Sequence, residues 1–500
     1  MSGWLRLSNS EPIEVVVVGG GIGGTVAACH AQEFGCRTIL LDKCNDPTAG
    51  SNTRLSGGGL HIAHADILST PERLRHRIDE VTGGTSKPDL ADALAANCGR
   101  AVDWLKSHGV ELEPASAPGD LPRLNAAGEP AEVHYIAPRR SLAELDGWQA
   151  HGAHRLLQIL QQRFVAAGGT LIGEATALEL LESSRGRGVA GVVARVDGEA
   201  GEIRSRNVVL ADGGFQANKR LLVTYIGRFA DRIKLRGSST GTGDALLMAE
   251  RVRGQLIGLQ YFYGHLLHRG ALVDDRLWPM PLLDGLARYG IIVSNAGLRY
   301  QDEGRGGIAA ANSTARLDNP VGSWIVLDAQ SWSAAERELT RDPYSPPPIP
   351  GIEERGGSIV SGVNLAELAA ACQINSDQLS ATVSAFNTAH ESDKLHLLPV
   401  PRTGAHPASI GQPPFRAVPV VPGITMTMGG ILVDASARVV DLDDRVIPGL
   451  YAVGGSAGGL QGGPGGGYVG GLSPALTFGL LAAEHIANRS RAEVPSEPAS

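Results

Sequence analysis

Residues 15–42 read VVVVGGGIGGTVAACHAQEFGCRTILLD. The four valines predict a buried parallel strand, because a β-branched run without polar alternation is typical of a strand covered on both faces. The glycines that follow match G-x-G-x-x-G, with Gly19, Gly21 and Gly24 at the fixed positions. Asp42 stands at the end of the next apolar run. The stretch therefore predicts a strand–helix–strand unit with an acidic residue at its end.

Each part of this unit has a chemical role. A helix is predicted from Thr25 to about Phe34, ended by Gly35, and a second strand is predicted over 37–41. The glycines let the backbone approach a pyrophosphate, and the helix N-terminus offers unpaired N–H groups to that anion. A carboxylate about 20 residues on accepts hydrogen bonds from a ribose. The unit favours a dinucleotide site over the alternative, a tight turn without a ligand.

The composition is that of a globular protein with more than one domain. The chain has 500 residues, 43% of them hydrophobic, and this length exceeds what one core normally holds. A formal net charge of −8 gives no electrostatic reason to expect nucleic acid or an anionic membrane as partner. No apolar run reaches the length of a membrane span, and the first residues lack the apolar segment of a secretory signal.

The cysteines indicate a reducing compartment. There are five, an odd number, and no C-x-x-C pair occurs among them. This pattern argues against disulfides, a metal cluster and covalent c-type haem. We therefore expect a cytoplasmic protein without a bound metal.

Glycine is concentrated at 19–24, 57–59 and 454–471. Clusters so far apart suggest one ligand wrapped by distant segments. The second cluster ends the stretch AGSNTRLSGGG, residues 49–59, which is rich in small and hydroxyl residues. Such a loop lets a flat ligand lie against the backbone and collects N–H donors for its oxygens. The alternative is a flexible loop without a ligand.

Helical and strand patterns alternate along the rest of the chain. Irregular structure is predicted over 113–138 and 342–351, and the residues after 490 lack core-forming side chains. Helices are predicted over 70–106 with breaks at 83–84 and 88, over 148–168, twice within 365–386, and over 472–488. Strands are predicted at 171–172, 175–180, 189–196, 207–210, 290–297, 324–328, 418–434 and 449–455.

Several ordered motifs carry a family resemblance over nearly the whole chain. The sequence resembles the flavoprotein family of soluble fumarate reductases, succinate dehydrogenase flavoprotein subunits, tricarballylate dehydrogenase and 3-ketosteroid dehydrogenases. That resemblance implies FAD rather than NAD as the cofactor. The matching segments are 19–24, 50–59, 208–218, 241–244, 297–303, 427–430, 449–454 and 470–475.

The resemblance also implies a domain plan. It is an α/β fold in which a Rossmann-like FAD-binding domain is discontinuous, made of residues 1–229 and 361–489. An α+β cap domain, residues 230–360, is inserted between them, and 490–500 is a mobile tail. The active site is expected between the FAD-binding domain and the cap.

The same resemblance assigns cofactor-binding residues. In membrane-bound relatives a histidine carries the flavin covalently, and here that position is Asn52, so FAD is expected to bind noncovalently. Gly455 stands where relatives often have a glutamate on the ribityl chain, so that contact is either lost or made by Ser456. The expected FAD-binding residues are Gly19, Gly21, Ile22, Gly23, Gly24, Asp42, Lys43, Ser51, Asn52, Thr53, Ser56, Gly57, Gly58, Gly59, Ala175, Ala211, Gly213, Asp244, Gly455, Leu472, Ser473 and Leu476.

Four residues are candidates for the chemistry. Tyr468 stands where fumarate reductases have a carboxylate-clamping arginine, and its phenol can donate to an oxyanion; alternatively it is an aromatic residue packed on the flavin. Arg305 and His265 lie near the positions of a proton-transferring arginine and a substrate-binding histidine in relatives, and Tyr135 is a weaker candidate. The alternatives are a surface arginine and a structural histidine. Arg299 and Glu303 are expected to form a structural pair.

These residues predict an FAD-dependent oxidoreductase acting on a CH–CH or C=C bond beside a carbonyl. Tyr468 replaces the family's clamp arginine and Thr425-Met426 replaces its HH before TMGG, so two dicarboxylate-binding groups are missing. A 3-ketosteroid-type dehydrogenase is therefore the first alternative, and a fumarate-reductase-like di- or tricarboxylate enzyme the second. An FAD-binding sensor without turnover would need no cap, and a disulfide reductase would need a C-x4-C motif that is absent. The expected partners are a small carbonyl-containing substrate and an unidentified electron donor or acceptor.

Overall fold

The valine run forms the middle of an eight-stranded sheet in the computed structural model, which describes residues 12–114, 132–139, 151–184, 186–339, 347–404 and 408–493. Strand β1 (Ile13–Val18) pairs in parallel with β2 (Thr38–Leu41) on one side and with β9 (Glu199–Leu210) on the other. Its central valines are fully buried, as their composition predicts.

The strands are numbered in chain order, and most are short. The remaining ones are β3 (Gly59–Leu60), β4 (Leu112–Pro114), β5 (His134–Ile136), β6 (Thr170–Ile172), β7 (Ala175–Glu182), β8 (Val189–Val196), β10 (Lys234–Leu235), β11 (Leu256–Ile257), β12 (Phe262–His268), β13 (Ile291–Val293), β14 (Ser323–Leu327), β15 (Val360–Gly362), β16 (Phe415–Thr427), β17 (Gly430–Leu432), β18 (Arg438–Val440), β19 (Val446–Ala452) and β20 (Ala457–Gly458).

The α-helices are numbered in the same way. They are α1 (Ile22–Glu33), α2 (Asn52–Leu55), α3 (Pro71–Thr82), α4 (Pro88–Ser107), α5 (His151–Ala166), α6 (Lys219–Tyr225), α7 (Asp244–Arg251), α8 (Asp284–Ala287), α9 (Gly307–Ala315), α10 (Ala329–Leu339), α11 (Pro348–Glu354), α12 (Leu365–Cys372), α13 (Ser376–Glu391) and α14 (Leu472–Glu493).

The first sheet combines a parallel centre with antiparallel additions. Its order is β18-β19-β9-β1-β2-β6, and β7 and β8 extend from β9 as an antiparallel meander. Strands β19, β9, β1, β2 and β6 are parallel, so their carboxyl ends lie at one edge. In open α/β sheets, ligands bind at that edge.

The second large sheet has six strands centred on β16. Its order is β10-β16-β14-β13, and β12 and β15 also pair with β16. It joins strands from 234–327 with a strand at 415–427, which lies after the predicted cap boundary at 360. The mixed α/β architecture is thus present, and the division of the chain into 1–229, 230–360 and 361–489 stays a prediction.

Helices α1, α4 and α14 are tied together by ionic hydrogen bonds. On α1, His30 Nδ1 lies 2.6 Å from Glu33, and His108 beside α4 lies 2.5 Å from the same carboxylate. Arg100 of α4 binds both oxygens of Glu484 on α14, at 2.5 and 2.8 Å. Since α1 follows the glycine turn and α14 enters from the far end of the chain, this cluster fixes two helices whose N-termini face the same site.

Several local predictions need correction. Helix α1 begins at Ile22, before the predicted Thr25, because Gly23 and Gly24 adopt helical geometry. Part of the predicted loop at 49–59 is the short helix α2. The stretch 113–138 contains strands β4 and β5, and 342–351 contains the start of α11, where Pro348 occupies the first turn that tolerates proline.

Other predictions fall at the edge of the described chain. Helix α14 continues to Glu493, into the predicted tail, while 494–500 lie outside the described residues. Residues 115–131 and 342–346, within the two stretches predicted as irregular, also lie outside the described residues. Across the described ranges, no helix is both long enough and apolar enough to cross a membrane.

Candidate functional site

Three backbone turns converge at the carboxyl edge of the parallel sheet. The turn at 19–24 follows β1, the turn at 211–214 follows β9, and the turn at 454–456 follows β19. A Cβ on Gly19 would lie 2.4 Å from the carbonyl oxygen of Ala211, and one on Gly455 would lie 3.3 Å from the Gly214 nitrogen. The predicted residues Gly19, Ala211, Gly213 and Gly455 are therefore neighbours.

The first turn leaves no space for side chains at its ends. A Cβ on Gly24 would lie 2.0 Å from the Gly19 carbonyl oxygen, closer than real Cβ contacts. Gly19 has φ +111°, a backbone conformation that disfavours L side chains. Gly21, in contrast, would meet only Thr53 Oγ1 at 3.5 Å and Ser51 Cβ at 3.6 Å. The middle of the turn is thus open, beside the N-terminus of α1.

Asp42 lies against this turn. Its Oδ2 accepts a hydrogen bond from Gly20 N–H at 2.7 Å, and its Oδ1 accepts one from Cys44 N–H at 2.8 Å. Desolvation raises the pKa of Asp42, and these backbone donors together with Lys43 oppose the rise. The predicted Ala175 joins the same group, because its N–H donates to the Asp42 carbonyl at 2.9 Å.

The loop at 50–59 is bonded to α1. Ile22 N–H donates to Thr53 Oγ1 at 3.0 Å, and Ser56 Oγ donates to the Thr53 carbonyl at 2.7 Å. Ser51 caps α2 by accepting from Arg54 N–H. Gly57 is open on its outer side, since a Cβ there would meet nothing within 4 Å.

Lys43 and Asp244 bind each other. Lys43 Nζ lies 2.6 Å from Asp244 Oδ2 and also donates to Thr242 Oγ1 at 2.9 Å. Nearby, Ser456 Oγ donates to Asp212 Oδ1 at 3.0 Å and accepts from Gly213 N–H at 3.0 Å. Desolvation raises the pKa of Asp212 to about 6. The hydroxyl of Ser456 is therefore engaged by Asp212 and its turn.

The geometry of these turns fits FAD. Gly57 and Gly213 have no atom within 4 Å of an added Cβ, and Gly21 touches only two small hydroxyl residues, so bare backbone lines an open surface. An extended dinucleotide needs such a surface, a helix N-terminus for its pyrophosphate and a carboxylate for a ribose. Gly58 and Gly59 follow in the same loop, and Leu472, Ser473 and Leu476 lie in the first turns of α14.

A β-bulge connects this surface to a second group of side chains. In the pairing of β12 with β16, Tyr263 faces Met426 and Gly264 faces Ile424, which leaves Thr425 without a ladder partner. Its carbonyl accepts from Asn52 Nδ2 at 3.0 Å, and its Oγ1 accepts from Arg236 Nη1 at 2.7 Å. Bulges often occur beside active sites, where they redirect a residue.

The second group centres on two stacked tyrosines. The rings of Tyr468 and Tyr263 lie 4.0 Å apart at an interplanar angle of 20°. Tyr263 Oη lies 2.9 Å from His265 Nε2, and His265 Nδ1 lies 2.5 Å from Asp284 Oδ2. The other Asp284 oxygen accepts from Leu266 N–H at 2.8 Å. Four polar side chains from three distant segments thus form one continuous chain.

Arg236 supplies positive charge to this group. Its side chain is buried, at 4% exposure, and desolvation lowers its pKa while Tyr263, Asp284 and Tyr468 raise it. Desolvation, with a contribution from Tyr263, raises the pKa of Tyr468 well above its usual range, while the backbone N–H of Gly471 and Arg236 act in the opposite direction. Tyr468 therefore remains a protonated phenol, able to donate a hydrogen bond.

Two histidines lie on the other side of Tyr468. The rings of His61 and His64 stack at 4.7 Å, and His61 meets Tyr468 edge-on at 5.8 Å. His61 N–H donates to Ser473 Oγ at 3.0 Å. Ala63 and His64 have φ values of +50° and +63°, and such strained conformations of non-glycine residues cluster at functional sites.

The structure joins two of the four predicted catalytic residues and places the other two elsewhere. Tyr468 and His265 are joined through Tyr263. Tyr135 pairs with Gly59 in the β3–β5 ladder and carries Arg139 over its ring at 4.0 Å. Arg305 is 52% exposed and lies 3.7 Å from the Asp302 carboxylate. It is not connected to the tyrosines by any contact in the described part of the chain.

The structural pair predicted at Arg299 and Glu303 is present, with Arg299 Nη2 2.6 Å from Glu303 Oε2. Arg402 lies 3.7 Å from the same carboxylate, and both of these side chains are fully buried. Glu303 Oε1 also accepts from Ile292 N–H of β13 at 2.8 Å, so the pair is bonded to the second sheet.

We call this second group the tyrosine group; its members are Tyr468, Tyr263, His265, Asp284, Arg236, His61 and His64. Sequence reasoning missed five of these residues. Tyr263 could have been found, because it stands two residues before His265 and alternate residues of a strand share a face. His61 and His64 follow directly after the GGG cluster. Arg236 and Asp284 carry no local signal, since only the tertiary fold brings them to the site.

Known proteins are similar to this chain over most of its length. The FAD binding domain family matches residues 14–468. A 3-oxosteroid 1-dehydrogenase of Mycobacterium tuberculosis is 27% identical, over 96% of this chain and 99% of that protein. Fumarate reductase (cytochrome) of Shewanella frigidimarina is 26% identical, over 96% of this chain and 78% of that protein.

A similar fold occurs in a solved structure. The 3-ketosteroid delta1-dehydrogenase from Sterolibacterium denitrificans, in complex with 1,4-androstadiene-3,17-dione, has a TM-score of 0.71 at 19% identity and covers 95% of this chain and 99% of that one. The family match and the two relatives confirm the predicted resemblance and the FAD cofactor. They also confirm the class, an FAD-dependent oxidoreductase acting on CH–CH groups. With a match that spans nearly its whole length, the chain belongs to the FAD binding domain family.

Proposed function

We propose that the protein removes or adds hydrogen across a C–C bond beside the carbonyl of a small organic molecule, and that Tyr468 holds the carbonyl oxygen. The carrying observation is the Tyr468 phenol, which is stacked on Tyr263 at 4.0 Å and lies near the buried Arg236. A carbonyl oxygen that becomes enolate-like needs such a fixed donor, and the nearby cation strengthens it.

The residues around the three turns would hold FAD noncovalently. Bound FAD supplies or accepts the hydride. The turn at 19–24 and the N-terminus of α1 would bind its pyrophosphate, Asp42 would accept from a ribose, and the loop at 50–59 would hold the flavin end. Asn52 Nδ2 donates to the Thr425 carbonyl at 3.0 Å, and Asn52 Oδ1 accepts from Ser238 N–H at 2.6 Å. Asn52 therefore orders this loop without forming a covalent bond.

Acid precipitation tests the mode of FAD attachment. We expect the yellow colour in the supernatant, running as FAD. Colour in the pellet would contradict noncovalent binding, and colourless protein that takes up no added FAD would contradict the cofactor site.

The predicted domain plan fits this chemistry. We place the active site between a discontinuous FAD-binding domain and a cap that excludes water. In support, Tyr468 precedes α14, which packs against α1, while its partner Tyr263 lies on β12 of the second sheet. The pairing of β16 with β12 and β14 favours a cap that draws on residues after 360. Cytoplasmic location stays a prediction.

A ketone or enone is the substrate class favoured by these side chains. A dicarboxylate needs a fixed cation for each desolvated carboxylate. The tyrosine group has one arginine, Arg236, and Asp284 offsets part of its charge. A 3-ketosteroid-type substrate is the first specific candidate, because the relative from Mycobacterium tuberculosis is named a 3-oxosteroid 1-dehydrogenase. The fumarate-reductase-like alternative is favoured by the second relative.

A flavin-based screen tests the substrate class. Oxidised holoprotein is mixed anaerobically with succinate, cyclohexanone and 4-androstene-3,17-dione, and bleaching of the flavin is recorded. Dithionite-reduced holoprotein is mixed with fumarate and 2-cyclohexen-1-one, and reoxidation is recorded. We expect reaction with at least one ketone or enone and little with the dicarboxylates. Fumarate as the fastest oxidant would contradict the proposal.

A further inference from the structure

We propose that Tyr263 is the proton-transfer residue of this reaction, and that His265 and Asp284 are positioning residues that prepare it. The inference rests on the proposed function for the nature of the substrate, a carbonyl compound. It goes further by naming the group that takes the proton from the carbon beside the carbonyl. The family resemblance assigns no role to Tyr263. Its assignment here depends on contacts between β12, α8 and the turn at 468.

The Asp284 carboxylate sets the direction of the hydrogen bonds that run from Tyr263 through His265. Asp284 accepts from Leu266 N–H and lies 2.5 Å from His265 Nδ1. An ionised carboxylate only accepts, so Nδ1 carries the proton and Nε2 presents its lone pair. Tyr263 O–H, 2.9 Å away, therefore donates to Nε2. The order acid, imidazole and hydroxyl is the arrangement that activates hydroxyl nucleophiles and bases elsewhere.

Asp284 is held in place by close packing. A Cβ on Gly307, the first residue of α9, would lie 1.8 Å from the Asp284 carboxyl carbon. Only glycine at this position lets the helix approach the carboxylate so closely. This packing holds the Asp284 carboxylate against His265 Nδ1, and that contact keeps His265 in the tautomer that accepts from Tyr263.

Tyr263 is also in contact with the carbonyl-binding residue. Its ring stacks on Tyr468 at 4.0 Å, so a carbonyl compound held by the Tyr468 hydroxyl lies beside the Tyr263 ring. Arg236 interacts electrostatically with both phenols. A positive charge beside Tyr263 favours the negative oxygen that forms when its proton moves toward His265.

The proposed step balances without an oxidant. The C–H bond beside the carbonyl breaks, and its proton goes to Tyr263 Oη while the original Tyr263 proton passes to His265 Nε2. The electron pair of the broken bond moves into the enolate, whose oxygen accepts from Tyr468 O–H. His265 becomes an imidazolium paired with Asp284. The reverse sequence protonates the same carbon during reduction of a C=C bond.

Arg305 is the rival for this role. Its side chain is 52% exposed and lies 3.7 Å from Asp302, and it lacks a described contact with either tyrosine. Tyr263 is connected to three polar groups of the site. The two assignments therefore predict opposite outcomes for substitutions at 263 and 305.

Hydrogen exchange of a ketone isolates the proton step. Dithionite-reduced holoprotein in D2O cannot accept a hydride, so incorporation of deuterium beside the carbonyl reports proton transfer alone. Cyclohexanone and 5α-androstane-3,17-dione are the probes, because neither has a C=C bond that the reduced flavin could reduce, and the exchange is followed by NMR. We expect Tyr263→Phe to slow exchange by about 10²–10⁴-fold, the usual range for a lost acid–base group. His265→Gln and Asp284→Asn should slow it as well.

The control is Tyr289→Phe. Tyr289 also donates its phenol hydrogen to an acceptor, Glu338 at 2.6 Å, and it lies outside the tyrosine group. This variant should exchange at the wild-type rate. Wild-type exchange by Tyr263→Phe, or loss of exchange in Arg305→Gln alone, would overturn the inference while leaving the proposed function intact. Flavin content and thermal stability are checked in every variant.

Nitrogen NMR of labelled histidine tests the same chain without a substrate. We expect His265 in the Nδ1–H form, with an Nε2 resonance that shifts in Tyr263→Phe and not in Tyr289→Phe. Asp284→Asn should change the tautomer. If neither ketone exchanges or reacts with wild type, the proposed function fails, and these spectra still decide the relay. An Nε2 resonance unaffected by Tyr263→Phe would overturn it.

Discussion

The turns that fit the nucleotide and the group around Tyr468 lie next to each other, yet they are built differently. At the turns, backbone geometry decides the site: Gly24 cannot carry a Cβ because the Gly19 carbonyl would be 2.0 Å away. Around Tyr468, side chains decide it, and they come from β12, α8 and the residue after β10, Arg236. The first region needs local sequence order, whereas the second needs the completed tertiary fold.

This difference predicts how each region responds to substitution. A change in the turns alters the shape of the backbone and should remove the cofactor. A change in the tyrosine group removes one donor and should leave the cofactor in place. Gly24→Ala, Tyr468→Phe and Asp42→Ala separate the two behaviours.

The largest effect is expected for Gly24→Ala. The added Cβ meets a backbone oxygen that cannot move away without opening the turn. We expect little or no bound flavin and destabilisation toward the upper end of about 1–3 kcal/mol, as for overpacking. Flavin absorbance per protein and thermal unfolding measure this.

Gly99→Ala is the matched control for Gly24→Ala. Gly99 lies within α4, and a Cβ there would meet nothing within 4 Å. This exchange should stabilise the protein by about 0.5–1 kcal/mol. Normal flavin content in Gly24→Ala would show that the turn tolerates a side chain and would remove the contrast between the regions.

Tyr468→Phe should act on rate alone. The ring still stacks on Tyr263, while the donor to the carbonyl oxygen is lost. Loss of one oxyanion donor costs about 10²–10³ in rate, and flavin content should match wild type. Turnover of the ketone found in the screen is the measurement. Full activity would assign Tyr468 to packing against the flavin.

Asp42→Ala should weaken FAD binding about tenfold or more. A charge-assisted hydrogen bond to a ribose contributes roughly 1.5–3 kcal/mol, and the carboxylate also fixes Gly20 N–H at 2.7 Å. Titration of the apoprotein with FAD measures the affinity. Asp42→Asn keeps an acceptor for Gly20 and should lose less. Equal affinity in all three proteins would reduce Asp42 to a strand-end residue.

The smallest effect concerns pH and the helix cluster around Glu484. Burial raises the pKa of Glu484, but hydrogen bonds from Arg100 and His30 outweigh burial and lower this pKa to about 2. Burial lowers the pKa of His30, but its hydrogen bonds with Glu33 and Glu484 outweigh burial and raise this pKa above its usual value. The carboxylate's stabilisation is present above pH 4.5 and is lost as pH falls through its lowered pKa. The histidine's stabilisation is present below pH 6.5 and is lost as pH rises through its raised pKa.

The cluster should therefore stabilise the fold most between pH 4.5 and 6.5, the ordinary pKa values of the two groups. Glu484→Gln should lower the Tm there on the order of 1–2 °C, since partly exposed pairs contribute little. Thermal unfolding across pH 3–8 checks it. A pH-independent difference between the variant and wild type would show that lost packing, not charge, is responsible.

The sequence predicted the parallel sheet and the cofactor turns because their signals are local. The valine run, Gly19–Gly24 and Asp42 lie within 30 residues and define one unit. Lys43 and Asp244 were each assigned to the cofactor, and their mutual bond at 2.6 Å could not be read from motifs separated by 201 positions. Arg236 and Asp284 were missed for the same reason. The α11 helix was missed because proline-rich composition conceals a helix that begins at a proline.

The position of β9 in its sheet has a consequence during synthesis. Val208–Leu210 pairs with Val16–Val18 on one side and with Leu450–Ala452 on the other. At about 5–20 residues per second, a ribosome needs roughly 10–50 s to extend the chain from the first pairing to the second. Through that interval the carboxyl end of β9 has an open apolar edge. We expect nascent chains halted in this window to be held by chaperones, and flavin to enter only once β19 and α14 have left the ribosome.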